Sequence, residues 1–359
     1  MRSRLFLDVH AVQTVPPANI NRDDTGSPKT AQYGGATRAR VSSQSWKRAM
    51  RKYFNDEGDV GNVGIRSLEI VRYIAEKITK IDESISMETA MELAEKTLNA
   101  AKISTKDKKT KALFFISDKQ AEKLAKFAIE KVDDKIELQQ VLKDEQSIDI
   151  ALFGRMLADD PSLNEDASSQ VAHAISTHAI ESEFDFFTAV DDLAPEDNQG
   201  AGMLGTIEYN SSTLYRYANI ALHEFVKQLG DKESTVNAAK LFVEAFINSM
   251  PTGKINSFAN QTLPQAVVVT LRTDRPVNMV SAFEKPIKSN DGYVEKSVKR
   301  LFEEYPKYDG MLEEPLFTAY YTFGDYGVPE IGKNENSTKE LIKELGEKIN
   351  QYLDKIELE

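Results

Sequence analysis

The 359-residue chain has no cysteine, which excludes disulfides, thiolate nucleophiles and cysteine-ligated zinc or iron–sulfur sites. Its four histidines, His10, His173, His178 and His223, form no His-Glu-x-x-His pattern or nuclease pair and require no catalytic role. Neither a Walker loop nor a G-x-G-x-x-G run occurs, so nucleotide hydrolysis is unsupported and no cofactor or metal is expected. Long apolar runs are missing: the longest covers five residues, 112–116, against roughly 18 for a membrane-spanning helix. Near the start, Asp8 and His10 break the apolar stretch before a signal-peptide core can form, so the expected address is the cytoplasm, without a membrane partner. Hydrophobic residues make up 41% and charged ones 28%, enough for a real core. The length fits two or three units, or one core with large insertions.

Positive charge is scarce overall and concentrated locally. Lys and Arg number 45 against 57 Asp and Glu, a net of −12. Between Arg22 and Lys52, however, eight basic residues face only Asp23 and Asp24, a local net of +6. Elsewhere 37 basic residues face 55 acidic ones, a balance of −18. A short cationic segment on an acidic body implies a confined anion-binding strip.

The organisation reads as α+β. Residues 4–11 alternate as a half-buried strand. A loop rich in Pro, Gly, Asn and Asp follows over 16–35, long enough to suggest function rather than mere connection. Helical stripes occupy 66–80, 86–102 and 118–131, the last with Asp118 as N-cap. A period of two at Ile148, Ile150 and Leu152 predicts a strand. Residues 159–212, with FDFF and the closing GAGMLGT, read as an extended arm. Strands at 214–220 and 266–271, a helix near 235–250 and a helix over 338–353 complete the pattern. Ser337 and Glu340 open that last helix as a capping box, and Leu341, Ile342, Leu345 and Ile349 share one face.

The stretch RARVSSQSWKRAMRKYF (38–54) carries the chemistry. Val41 ends an alternating strand, and Ser42 or Ser43 caps the helix that follows. At 100° per residue, Trp46, Ala49, Met50, Tyr53 and Phe54 fall on one arc and Lys47, Arg48, Arg51 and Lys52 on the other. Lys47 and Arg51 are one turn apart, as are Arg48 and Lys52, so an anion that neutralises them gains from the arrangement. Alone, such a helix reads as an ordinary solvated face; Arg38 and Arg40 beside it shift the reading to a phosphate backbone.

The blocks NRDD (21–24), YGG (33–35), R-x-R-V-SSQS-x-KRAMRK (38–52), FGRM (153–156), AHAISTH (172–178), FFTAVDDL (186–193), LGT (204–206), YRYANI (215–220) and AFEK (282–285) occur in order. Together they resemble the CasC (Cse4) family, the CRISPR RNA-binding backbone subunit of type I-E Cascade. The region 55–145 and the C-terminal tail carry no matched block. The resemblance implies a modified RNA-recognition-motif (ferredoxin-like) palm, a helical finger insertion and a long β-hairpin thumb. The palm would take 1–60, 146–158 as a strand and 214–359; the fingers 61–145; the thumb 159–213. It further implies that several copies coat the spacer of a CRISPR RNA, kink it periodically and present bases to target DNA beside other Cascade subunits, cleaving neither strand.

A protein that holds any guide must grip phosphates and sugars and leave base edges free. Arg22, Lys29, Arg38, Arg40, Lys47, Arg48 and Arg51 suit that task, with Ser42, Ser43 and Gln44 as neutral donors; the resemblance points most directly at Lys47 and Arg51. By similarity the kinking wedges are Met156, Phe186, Phe187 and Leu204, with Phe186 standing where the family is expected to carry tryptophan. The aromatic consensus of simple RNA-binding domains is absent, so stacking on an open sheet is not expected. Lys285, Lys288 and Lys299, with Lys296 and Arg300, form a second basic group that could face DNA, though three acids interrupt it and a solvated surface is the plainer reading. Two rivals remain: a metal-dependent endoribonuclease using Asp23 or Asp24, and an adaptor whose basic helix meets an acidic protein.

Overall fold

The computed structural model describes residues 4–57, 63–144, 146–157, 160–189, 192 and 204–355. Val190, Asp191 and Leu193 of the FFTAVDDL block and residues 200–203 before Leu204 lie outside the described residues. The chain begins with β1 (Phe6–Ala18), β2 (Thr30–Tyr33), β3 (Ala36–Val41) and helix α1 (Ser43–Asp56). A mainly helical stretch follows, with β4 (Ile65–Ser67), α2 (Ile70–Ile81), α3 (Met87–Ala100), β5 (Thr105–Lys106), β6 (Lys109–Thr110), β7 (Phe114–Ile116), α4 (Asp118–Glu130) and α5 (Lys135–Lys143). Helix α6 (Ile148–Phe153) leads into β8 (Ser169–Val171), β9 (Ala174–Ser176), β10 (Glu183–Thr188) and β11 (Leu204–Ala221). The last part holds α7 (Leu222–Leu229), α8 (Lys232–Asn248), α9 (Ile255–Phe258), β12 (Pro264–Arg272), α10 (Val294–Glu304), β13 (Phe317–Thr322), β14 (Lys333–Asn334) and α11 (Thr338–Leu353).

The fold is α+β around one mostly antiparallel sheet, ordered β14–β13–β12–β1–β11–β9–β3–β2, with β8 and β10 also paired to β11. Strand β1 is central: Val9 faces Ala218 on β11 and Val269 on β12. Leu5, Leu7, Val9 and Ala11 point into a core shared with Trp46, Met50 and Phe54 of α1, Phe242 and Phe246 of α8, and Leu341, Leu345 and Ile349 of α11. The expectation of a half-buried β1 fails because a second apolar layer, with Met279, Phe283, Leu301 and Phe302, covers the other face. Asp8 and His10 are therefore interior. The Asp8 carboxylate accepts from the Tyr217 hydroxyl at 2.7 Å and lies 3.5 Å from the Arg272 guanidinium. Burial pushes Asp8 up to about 7 and His10 down to about 3, since the charged form of each loses its water.

The 16–35 segment is more ordered than its composition suggests, because β1 runs on to Ala18 and β2 begins at Thr30. The expected strand over 146–158 is not one where the structure describes it: Ile148–Phe153 is one short helix, α6, whose residues 148–152 are all buried, and residue 158 lies outside the described residues. A helix enclosed on every side has no polar face to reveal its period, so three apolar residues at alternate positions mimic a strand. A separate core joins Ile70, Ile74 and Ile78 of α2, Leu98 of α3, Leu124 of α4 and Leu138 of α5, and reaches Leu157 and Leu163. Helix α4 is capped by Ser117 rather than Asp118: the Ser117 Oγ accepts from the Gln120 N–H at 3.0 Å, and the Gln120 side chain accepts from the Ser117 N–H at 3.1 Å.

Pairing between β1 and β11 starts only at Ala18 opposite Asn210. The first six residues of β11 pair instead with β10, from Thr188 opposite Leu204 to Glu183 opposite Tyr209. At about 3.3 Å per residue this two-stranded ribbon carries the chain about 20 Å past the end of β1.

Candidate nucleic-acid interface

Helix α1 is fixed from both ends of its sequence neighbourhood. The two-residue turn Gly34–Gly35 joins β2 to β3 with both φ angles positive, as type I′ turns require. Gly34 also lies against the Glu284 carbonyl, where a Cβ would come within 1.6 Å of the oxygen. Beyond β3, the Asn21 side-chain oxygen accepts from the Ser42 N–H at 2.8 Å, tying the 21–29 loop to the helix start. Ser42 occupies the N-cap position, yet its side chain makes no capping bond and is buried, so it is no accessible donor.

Arg38 corrects the expected set most sharply. It is fully buried, and its guanidinium donates to four carbonyls: Tyr33 at 3.2 Å, Ser176 at 2.7 Å, Phe283 at 2.9 Å and Glu284 at 3.1 Å. Four of its five N–H groups are spent on the protein, and the buried side chain offers no surface to a phosphate. Its strand neighbour Arg40 is half-buried, donating to the Thr30 carbonyl at 2.9 Å and to His173 Nδ1 at 3.1 Å. Burial, then Arg40 and Lys29, hold His173 below the ordinary histidine range, so these three form one cationic corner around a neutral imidazole.

On α1, Trp46, Met50 and Phe54 are buried as the arc requires. Trp46 is held by Arg216, whose guanidinium lies 3.7 Å from its ring centroid and 4.2 Å from that of Phe246. The opposite arc splits. Gln44, Arg48 and Lys52 are exposed, and Ser43 and Lys47 are half-buried. Arg51 donates to the buried Asp149 carboxylate at 2.9 Å and to the Gly64 carbonyl at 3.3 Å, and stacks 4.3 Å from the Phe115 centroid. Arg51 is thus anchored to the protein, whereas Lys47 has no counter-charge among the described residues. The Lys47 ammonium lies 5.5 Å from the Phe153 ring centroid, and burial alone holds its pKa below the ordinary lysine value.

Two clefts flank this helix. One, of about 770 Å³, takes Lys47, Arg48 and Arg51 from α1, Arg66 from β4, and Phe153, Arg155 and Met156 from the FGRM block. The other, of about 760 Å³, lies between the far side of α1, the 20–23 segment and residues 248–253, and mixes Arg22, Arg48 and Lys52 with Asp23, Asp56 and Glu57. Arg22 is exposed and Lys29 half-buried. Asp23 is a turn residue: its Oδ1 accepts from the Thr25 hydroxyl, the Thr25 N–H and the Ser27 N–H at 2.7–3.0 Å, which lowers its pKa. No metal-ligating group of three or more His, Asp or Glu occurs among the described residues.

The wedge residues divide likewise. Met156 is 85% exposed at the cleft, and Phe186 and Leu204 are about two-thirds exposed on one face of the ribbon. Phe187 points to the opposite face and lies on Gly205, where a Cβ would come within 2.3 Å of its ring. In the last basic group, Lys299 pairs with Glu295 at 2.6 Å, whereas Lys285 and Lys288 are exposed. Sequence reasoning missed three elements. Phe184 shares the face of Phe186 and is equally exposed, a relation the alternation in FDFF could have revealed. Arg66 and His173 reach the cationic surface only through tertiary structure.

A chain from a "CRISPR RNA-guided surveillance complex, pre-nicking" superposes with a TM-score of 0.87 and 32% identity, covering 96% of this chain and 100% of that one. A chain from a "CRISPR RNA-guided surveillance complex" gives 0.75 and 29% over 96% and 99%. No curated protein matches. Residues 7–348 match the CT1975-like protein family, and with nearly the whole chain inside that match, the protein belongs to it.

Proposed function

We propose that this chain is the non-catalytic, guide-holding backbone subunit of a type I-E Cascade complex, the CasC role. In this reading β12–β1–β11 with β8 and β9, carrying α1 and α8 on one face, is the ferredoxin-like palm. The α2–α5 unit is the fingers and the β10–β11 ribbon the thumb. Several copies line the spacer of a CRISPR RNA in the cytoplasm, next to other Cascade subunits. Each ribbon, with exposed Phe186 and Leu204, and each Met156 replaces stacking where the strand kinks, leaving the intervening bases to pair with target DNA.

The observation that carries this reading is Lys47: a cation drawn half out of water on an open cleft, with arginines beside it and no ion-pair partner among the described residues. Such a group is disfavoured in the free chain and relieved by an incoming phosphate. The test is the salt dependence of guide-RNA binding. Lys47→Met should reduce the slope of log affinity against log salt by about 0.7, the value for one single-strand phosphate contact. An unchanged slope defeats the assignment. Incubation with guide, complementary strand and Mg²⁺ separates the nuclease rival: product that vanishes in Asp23→Ala would replace the scaffold with an enzyme. The observed use of the Asp23 carboxylate in its own turn supports the non-catalytic side.

A further inference from the structure

We propose that Lys47 is also a site of covalent acylation by acyl phosphates. Three features converge on it. Its amine opens onto a cleft of about 770 Å³, large enough for a small acyl donor. No carboxylate lies within ion-pair distance of it among the described residues; of the two acids on the cleft, Glu165 is 4.0 Å from Arg155 and Asp166 makes no ion pair. Arg48 and Arg66 line the same cleft and are exposed, so a dianionic donor is gathered where the amine waits. Burial against Phe153 favours the neutral amine, the form in which lysine is a nucleophile.

In the step, the Lys47 nitrogen attacks the acyl carbonyl carbon. The C–N bond forms, the carbon–oxygen bond to phosphate breaks, and the amine proton leaves with the phosphate as hydrogen phosphate. The product is a neutral amide, with no change in oxidation state. On the guide-binding reading above, this would remove the cation that meets the strand, so acylation and RNA occupancy exclude each other.

The test treats the full chain with acetyl phosphate and follows each lysine by peptide mass spectrometry. Lys52, exposed on the same helix, is the internal reference. Lys47 should acetylate severalfold faster, because the cleft arginines gather the anionic donor and its lowered pKa raises the amine fraction more than it lowers nucleophilicity. Arg66→Gln should slow Lys47 with acetyl phosphate but not with a neutral active ester. A Lys47 rate no greater than that of Lys52 with both donors overturns the proposal. Prior binding of guide RNA should suppress the reaction at Lys47. Rapid acetylation that RNA leaves untouched upholds the reactive lysine and counts against guide binding there; slow acetylation with a Lys47-dependent salt slope does the reverse.

Discussion

Strand β3 and helix α1 are adjacent, both basic, and used in opposite ways. The strand turns Arg38 inward, where carbonyls take four of its five donors, and Arg40 is half spent on Thr30 and His173. The helix leaves Arg48 and Lys52 in solvent and Lys47 on the cleft against the Phe153 ring, with no ion-pair partner among the described residues. A charge thus says little until its counter-charge is known. Guanidinium, planar with five donors, suits interior carbonyls; a single ammonium left uncompensated awaits something from outside.

The contrast breaks most severely at Arg38. Arg38→Ala leaves buried carbonyls unsatisfied and a void behind, so it should cost about 3 kcal/mol or more in denaturant unfolding. Folded protein should retain its RNA salt slope. A stable Arg38→Ala variant with a reduced slope would place this residue at the nucleic acid after all. Arg51→Ala comes next. It strips one partner from buried Asp149, which keeps the Gly64 N–H at 2.8 Å and the Ser147 hydroxyl at 2.7 Å. Because Asp149 keeps those two donors and Arg51 is partly solvated, about 2 kcal/mol of destabilisation is expected, with a smaller effect on the slope than Lys47→Met.

Much of this was legible and some was not, for identifiable reasons. Helix α11 sits where its cap and apolar face put it, and the buried arc of α1 follows the 3.6 period because one side faces a core and the other does not. Helix α6 was illegible because both sides are core. Arg38 and Lys47 could not be told apart, because what separates them, the 283–284 carbonyls and the Phe153 ring, lies far away in sequence. Alternation alone puts Asp8 and His10 on the open side of a half-buried β1 for the same reason: the layer that covers them arrives from residues 277–305.

Lys47 supplies a milder and more telling comparison through pH. Its folded pKa lies below the ordinary 10.5, so between the two values the unfolded chain binds more protons than the folded one. Stability should therefore rise as pH increases through that window, the reverse of a lysine that gains a partner on folding. Lys47→Met should flatten the rise without loss of stability at pH 7, measured as denaturant midpoints at both ends. If the wild-type curve lacks the extra rise, the ammonium is solvated in the free chain and the contrast with Arg38 narrows to exposure alone.

The smallest effects lie in the 285–300 group. Lys299 already holds Glu295, which raises its pKa, and Arg300 donates to the Lys285 carbonyl at 2.7 Å. A DNA phosphate would have to displace those contacts, so Lys299→Ala should leave midpoint and salt slope within error. Lys285 and Lys288 are exposed without an ion pair among the described residues, so a double alanine variant is the fairer probe. In an assembled complex it should weaken target-duplex binding only if this face meets DNA, with a slope loss of up to about 1.8 for two duplex phosphates. A loss for Lys299→Ala equal to that of the double variant would mean that a half-buried, already paired lysine serves as well as one without an ion pair. The distinction drawn between β3 and α1 would then hold only for buried cations.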